Sequence, residues 1–207
     1  MLYHSREELS MSEKFNSVSQ QEEESLPYDE WFYWLQTLVT AIVCIILTFT
    51  FVFRVTRVVG QSMDPTLTDG ELLVIWSLGY HPKQGDIVIA NDTTESSVEL
   101  LHGDAIVKRV IATEGQTVDI DYDNNIVYVD GEPLEEDYIL EEMHWPVWSP
   151  PMMETHFEVP EGEVFLMGDN RNGSTDSRHE MLGSVNEGHL LGKAAFVLFP
   201  FNRFGFV

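Results

Sequence analysis

From Trp31 to Phe53, twenty-three consecutive residues pass without a single charge. At about 1.5 Å rise per residue, a helix of that length crosses a hydrocarbon core of roughly 30 Å. Trp31, Phe32, Tyr33 and Trp34 cluster at one end, where aromatic rings settle at a membrane interface, and Arg54 and Arg57 close the other. The pattern predicts one transmembrane helix over residues 31–53. A cleavable signal peptide fits less well, because the segment starts thirty residues in, exceeds a usual apolar h-region and follows an acidic stretch. A buried core helix of this length would show a polar face.

On either side the texture differs. Residues 1–30 are rich in Ser, Glu and Gln, as in Gln20-Gln21-Glu22-Glu23-Glu24, and offer little to bury, so they read as a polar acidic tail. Beyond Arg54, short apolar runs are broken by turn residues. Strands are predicted at Leu72–Trp76, Asp86–Ala90, Ala105–Ala112, Thr117–Ile120, Ile126–Val129, Val164–Met167 and Ala194–Phe199. Asp123-Asn124-Asn125 reads as a hairpin tip and Asp130-Gly131 as a turn. With no long amphipathic helix and no internal repeat, residues 54–207 are expected to form a mainly β domain behind the helix. One loop stands apart: between His144 and Met153, two tryptophans and two methionines sit among prolines, suited either to a bilayer or peptide groove or to capping the β core.

Charge narrows the partners. The formal net charge is −24, and of the 35 acidic residues 8 fall in the first thirty positions and 27 after Phe53. Phosphate binding needs clustered Lys and Arg, so nucleic acid is not an expected partner. The single cysteine, Cys44, allows no intrachain disulfide and no thiolate zinc site. His179-Glu180 lacks the second histidine of a zinc-binding His-Glu-x-x-His helix, so neither a metal nor another cofactor is indicated.

Three segments hold candidate chemistry. Val58-Val59-Gly60-Gln61-Ser62-Met63-Asp64-Pro65-Thr66 sets a serine on a tight Gly/Pro turn, where a hydroxyl can serve as a nucleophile; most such serines simply bond nearby backbone. Lys108 lies in Ala105-Ile106-Val107-Lys108-Arg109-Val110-Ile111, a predicted strand that is apolar apart from Lys108 and Arg109, and is one of only four lysines. Alternation puts Lys108 and Arg109 on opposite sides of the strand. Apolar surroundings disfavour an ammonium, lower its pKa and leave an amine able to take a proton from Ser62. The third segment, Gly168-Asp169-Asn170-Arg171-Asn172-Gly173-Ser174-Thr175-Asp176-Ser177-Arg178, reads as a rigid loop held by its own side chains. There Asp176 and Arg178 can pair, and Ser174 can bond and direct the lysine amine.

Taken in order, Gly60-x-Ser62-Met63-x-Pro65-Thr66, Gly85-Asp86-Ile87-Val88, Lys108-Arg109-Val110 and Gly168-Asp169-Asn170-Arg171 through Arg178 resemble bacterial type I signal peptidase, in its Gram-positive-type branch. Gly192-Lys193-Ala194 and Phe199-Pro200 extend the likeness toward the C-terminus. The resemblance implies a signal-peptidase/LexA-like β catalytic domain behind one N-terminal transmembrane helix. It implies Ser62 as nucleophile, Lys108 as general base, Ser174 as the serine orienting the lysine, and Asp176 with Arg178 as a supporting ion pair. It further implies Met63, Leu67, Ile106 and Val107 as walls of the substrate pocket, and an oxyanion hole using the Ser62 backbone N–H. Gly60 stands where some members place an extra hydroxyl donor. Arg171-Asn172-Gly173-Ser174 replaces the more usual Arg-Asp-Asn-Ser, and Asn186 stands where proline often follows Gly-x-Val.

The substrates so implied are secretory preproteins cut after Ala-x-Ala-type sites. The other expected partners are the lipid bilayer and, through an encounter at the membrane, the secretion translocon. Lys and Arg counts flanking the span weakly favour a cytoplasmic C-terminal domain. The family resemblance implies the reverse and is followed here: single-pass in the cell membrane, N-terminus cytoplasmic, residues 54–207 extracytoplasmic. The alternative from another class is a catalytically silent, membrane-anchored peptide-binding module of the same fold. A self-cleaving LexA-type repressor would need an Ala-Gly or Cys-Gly bond, and neither dipeptide occurs. A Ser-His-Asp hydrolase would need Gly-x-Ser-x-Gly, where this chain has Asp64 at the last glycine.

Overall fold

The computed structural model describes residues 27–91, 105–145, 154–180 and 182–207. The tail up to residue 26 and most of the Trp/Met/Pro loop, residues 146–153, lie outside the described residues. The chain divides into two units at Leu47/Thr48.

The apolar segment is helical. Helix α1 runs Pro27–Phe51, so it starts before the predicted Trp31, and Phe53 is not its last residue but the first of a strand. Its stretch Glu30–Thr50 has a mean hydropathy of 2.0, and every side chain there is exposed. An apolar helix exposed all round fits a lipid surrounding and not the interior of a water-soluble domain.

The second unit is mainly β, as expected. Among the described residues twelve strands follow in chain order: β1 Phe53–Arg57, β2 Leu72–Trp76, β3 Ile87–Asn91, β4 Ala105–Thr113, β5 Thr117–Asp121, β6 Ile126–Val129, β7 Glu132–Pro133, β8 His156–Glu158, β9 Glu163–Met167, β10 Val185–Asn186, β11 Leu190–Phe199 and β12 Gly205–Phe206. They form two sheets. The larger has the order β1-β2-β11-β3-β4-β9-β10, with β12 paired to β11; the smaller has the order β7-β6-β5-β8. All of these pairings are antiparallel.

Each predicted strand is present within a few residues of its expected bounds. The strands that periodicity did not reveal are short edge pieces (β7, β8, β10, β12) or, in β1, a mostly exposed strand masked by the preceding apolar run. Turn chemistry acted as read. Asp130 and Gly131 adopt φ of 52° and 81°, the pair of left-handed values that closes a two-residue hairpin between β6 and β7. At the β5–β6 tip, Asp121 accepts from the backbone N–H groups of Asp123 and Asn124 at 3.0 and 2.9 Å.

Packing makes β4 the strand on which the domain turns. It is hydrogen-bonded on both sides, to β3 and β9, and its residues enter three separate apolar clusters. Ile111 and Ala112 join Val118, Val127 and Phe165 in one; Val107 joins Val58, Met63, Leu67 and Leu73 in a second; Val110, Val164 and Leu166 share a third. A register shift between Val110 and Ala112 marks a bulge, which bends the strand so that successive residues can serve different clusters. Phe165 is fully buried with its ring 4.9 Å from that of Phe157. Phe165→Ala is expected to cost about 3–5 kcal/mol, read as a lowered denaturation midpoint in urea.

Candidate active site

The turn after β1 is a closed loop with a narrow neck. Val58 donates its N–H to the Glu71 carbonyl at 2.8 Å, and Gly70 donates to the Val58 carbonyl at 2.9 Å. Gly60 has φ of 85°, which an L side chain rarely adopts, and donates its N–H to Asp69 Oδ1 at 2.8 Å. Met63 and Leu67, one turn apart and joined by a 2.9 Å backbone hydrogen bond, are buried as the plugs of the loop. Ser62 precedes the first plug and is half-exposed. Anchored neighbours and a free edge give its hydroxyl a fixed direction.

Lys108 comes from the middle of β4 and is only 4% exposed. Its Nζ lies 2.8 Å from Ser62 Oγ, across forty-six residues of sequence. Burial pushes the Lys108 amine below the ordinary lysine value, and the nearby charge of Asp176 offsets this only in part. Arg109, the next residue, points elsewhere. Its Nε and Nη2 make two bonds to Asp169, at 2.8 and 2.6 Å, and its guanidinium stacks 3.9 Å above the Tyr138 ring.

Register explains why the third segment arrives here. Met167 at the end of β9 pairs with Arg109, so the chain leaves β9 beside the lysine. Gly168 follows, and a Cβ there would lie 2.4 Å from both Ser174 Oγ and the Ser62 carbonyl oxygen. Only glycine permits that approach. Asn170 then donates its N–H to the Ser62 carbonyl at 3.0 Å and its side-chain amide to the Gln61 carbonyl at 3.1 Å. Asp169 receives the Thr66 hydroxyl at 2.5 Å. Three successive residues thus bind the serine loop to the end of β9.

The rest of this segment is held by charge. Asp176 Oδ1 and Oδ2 accept from Arg178 Nε and Nη2 at 2.7 and 2.8 Å, and both side chains are 1% exposed. Burial would raise the Asp176 carboxyl, but the Arg178 charge and its hydrogen bonds outweigh burial and hold it below the usual carboxylate value. Asp176 also accepts the Gly168 N–H at 3.0 Å. Arg171 pairs with Glu136 through both nitrogens. Asn172, the departure in Arg171-Asn172-Gly173-Ser174, accepts the His144 N–H and donates to Glu141 and the Glu142 carbonyl, all within 2.9 Å. Asn186 accepts the Gly188 N–H at 2.9 Å as the cap of a short 3-10 turn.

The residues singled out in the sequence thus fall as follows. Ser62, Lys108, Ser174, Asp176 and Arg178 converge. Ser174 Oγ is buried beside Gly168, and the expected bond from it to the lysine amine is absent among the described residues. Met63, Leu67 and Val107 share one apolar cluster, while Ile106 packs against a different one. Sequence reading missed Asp169, Arg109, Thr66 and Asn170. The dense Gly-Asp-Asn-Arg motif was the signal for the first and last, but their partners on distant strands could not be read from it.

A hydroxyl fixed against a buried, deprotonatable amine can lose its proton to that amine and attack a carbonyl, which is the equipment of a serine hydrolase. Residues 31–199 match the family described as "Signal peptidase, peptidase S26". The chain is 40% identical over 172 residues to "Probable signal peptidase I-1" of Synechocystis sp., covering 81% of this chain and 82% of that one. "Probable signal peptidase I-2" of the same organism is 34% identical over 199 residues, 94% of this chain and 85% of that one. "Signal peptidase I" of Bacillus licheniformis is 36% identical over 178 residues, 83% and 90%. The chain therefore belongs to the signal peptidase family, peptidase S26, and is a serine endopeptidase that cleaves signal peptides. Its apolar N-terminal helix fits a membrane-anchored member.

Gly168→Ala is expected to push Ser174 and the Ser62 turn apart and to lower preprotein cleavage about 10–100-fold, with circular dichroism unchanged.

Proposed function

We propose that Ser62 is the nucleophile and Lys108 the general base of this peptidase. The observation that carries the reading is the 2.8 Å contact between the two side chains at a lysine only 4% exposed. Neutral Lys108 takes the proton of Ser62 Oγ as the oxygen attacks the scissile carbonyl. The backbone N–H of Ser62 faces the developing oxyanion. Collapse of the tetrahedral intermediate gives an acyl-enzyme on Ser62, and Lys108 passes its proton to the departing amine of the mature protein. Water then takes the place of that amine, with Lys108 again as base, and the signal peptide leaves as a carboxylic acid.

Ser174 is assigned the orienting role for the lysine amine on the family resemblance alone, and the Asp176–Arg178 pair holds Gly168, beside which Ser174 is buried. Asp176 also faces the lysine electrostatically and tempers the effect of burial. The peptide adds as an extended strand, with small side chains of an Ala-x-Ala site entering shallow apolar pockets. Met63, Leu67 and Val107, gathered in one cluster at the base of the serine loop, support a wall of such a pocket, while Ile106 turns to the other face of β4 and takes no part in that wall.

The apolar helix, through its stretch Glu30–Thr50, spans the cell membrane once, with the N-terminal tail cytoplasmic and the β domain that follows extracytoplasmic. That placement sets the site on the face where preproteins emerge from the translocon. Anchoring also confines enzyme and substrate to one bilayer, raising their effective concentration.

Two tests follow. Ser62→Ala and Lys108→Ala are each expected to lower cleavage of an Ala-x-Ala preprotein on the order of 10⁴-fold or more while the domain stays folded. Near-normal turnover by either variant, followed by gel shift in detergent, would remove that residue from the dyad. The pH profile gives the second. Lys108 works only when neutral, so the rate rises as pH increases through its folded pKa, which lies below the ordinary lysine value. The rising limb should therefore precede that value; a rate that falls steadily as pH increases from about 6 to 10 contradicts a lysine base.

A further inference from the structure

The serine loop is gripped from a second side by the C-terminal turn. Phe201–Arg203 form a short 3-10 turn after Pro200, and Arg203 reaches from it toward the neck of the loop. Its Nε lies 2.6 Å from Glu71 Oε1, and its Nη2 donates to the Thr66 carbonyl at 2.7 Å. Glu71 is 1% exposed and also accepts the Thr68 hydroxyl at 2.9 Å, yet its Oε2 is buried with no hydrogen-bond partner among the described residues.

A buried carboxylate with one oxygen unpartnered is a costly choice, and a neutral side chain would fill the same space at less cost. What the charge does at this position is hold Arg203. The guanidinium is a rigid fork of donors, able to bind a carboxylate and a carbonyl together in fixed geometry. Thr66 thereby has its carbonyl tied to the C-terminal turn while its hydroxyl is tied to Asp169. Thr66 is thus bound from both directions, four positions from Ser62.

We infer that Arg203 is a positioning residue for catalysis: through Glu71 and the Thr66 carbonyl it fixes the loop that carries Ser62. The inference rests on the reading of Ser62 as nucleophile. Arg203 touches neither Ser62 nor Lys108 in any bond the structure shows, so its loss affects how often the serine is aligned and not how the peptide binds. Side-chain geometry of this kind appears in kcat and leaves KM nearly constant.

The test uses the full chain in detergent and an Ala-x-Ala preprotein, with kcat, KM and thermal unfolding measured for each variant. Arg203→Ala is expected to lower kcat about tenfold with KM within about twofold of wild type. Arg203→Lys recovers only part, because an ammonium cannot reproduce the fork. The double variant Glu71→Gln/Arg203→Ala leaves no buried carboxylate unpaired, so it should unfold near the wild-type temperature and still show the low kcat. Wild-type kcat in the double variant would overturn the inference, since Arg203 would then serve only to neutralise Glu71. Unchanged kcat in Arg203→Ala, or a loss confined to KM, would overturn it as well. Ser62→Ala is run beside these: cleavage by that variant would refute the nucleophile reading itself, whereas an inactive Ser62→Ala with a normal Arg203→Ala would refute the positioning role alone.

Discussion

Taking one ammonium group out of water is the constraint around which this domain is arranged. Lys108 sits in the middle of a strand paired on both sides, and its side chain is 4% exposed. Each pH unit by which burial moves an amine's titration costs about 1.4 kcal/mol of folding free energy at neutral pH. The sign follows from linkage: the unfolded chain holds the lysine proton more tightly, so this contribution is unfavourable at low pH and fades as pH rises toward the ordinary lysine value. In return the proposed mechanism has a base that needs no histidine.

The same economy governs the other cations. Only 11 residues are Lys or Arg in a chain of net charge −24, and a large share of them converge on the serine loop and its partner loop. Arg109 binds Asp169, Arg178 binds Asp176, Arg171 binds Glu136 and Arg203 binds Glu71. Buried or half-buried ion pairs contribute little net stability, because desolvation offsets most of their attraction. Their service here is directional. Bidentate arginines fix the ends of loops that have no sheet partners, while most acidic side chains among the described residues remain on the surface.

Much of this was legible in the chain because the relevant signals are local. Alternation located seven strands, the uncharged run located the helix, and the glycine, proline and Asp/Asn clusters located the turns. Ser62 and Lys108 stood out for the same reason, one on a strained turn and one as a cation in an apolar strand. The contacts that align them were not legible. Gly168 lies against Ser62 only because β9 pairs with β4 in a particular register, and the Arg203–Glu71 contact joins residues more than a hundred positions apart. Helix bounds slipped at Phe53 because apolar residues of a helix end and of an adjoining strand read alike without a charge between them. Ile106 and Val107 enter different clusters because neighbours on a strand face opposite sides, a distinction that a shared motif does not express.

The most direct test is the titration of the lysines themselves. With only four lysines in the chain, selectively labelled side chains can be followed by NMR in the Ser62→Ala protein, and Lys108→Arg identifies the resonance in question. One lysine titrating clearly below the other three, and absent from the Lys108→Arg spectrum, is the result expected for a buried catalytic base. Four lysines titrating together near the ordinary value of about 10.4 would contradict it.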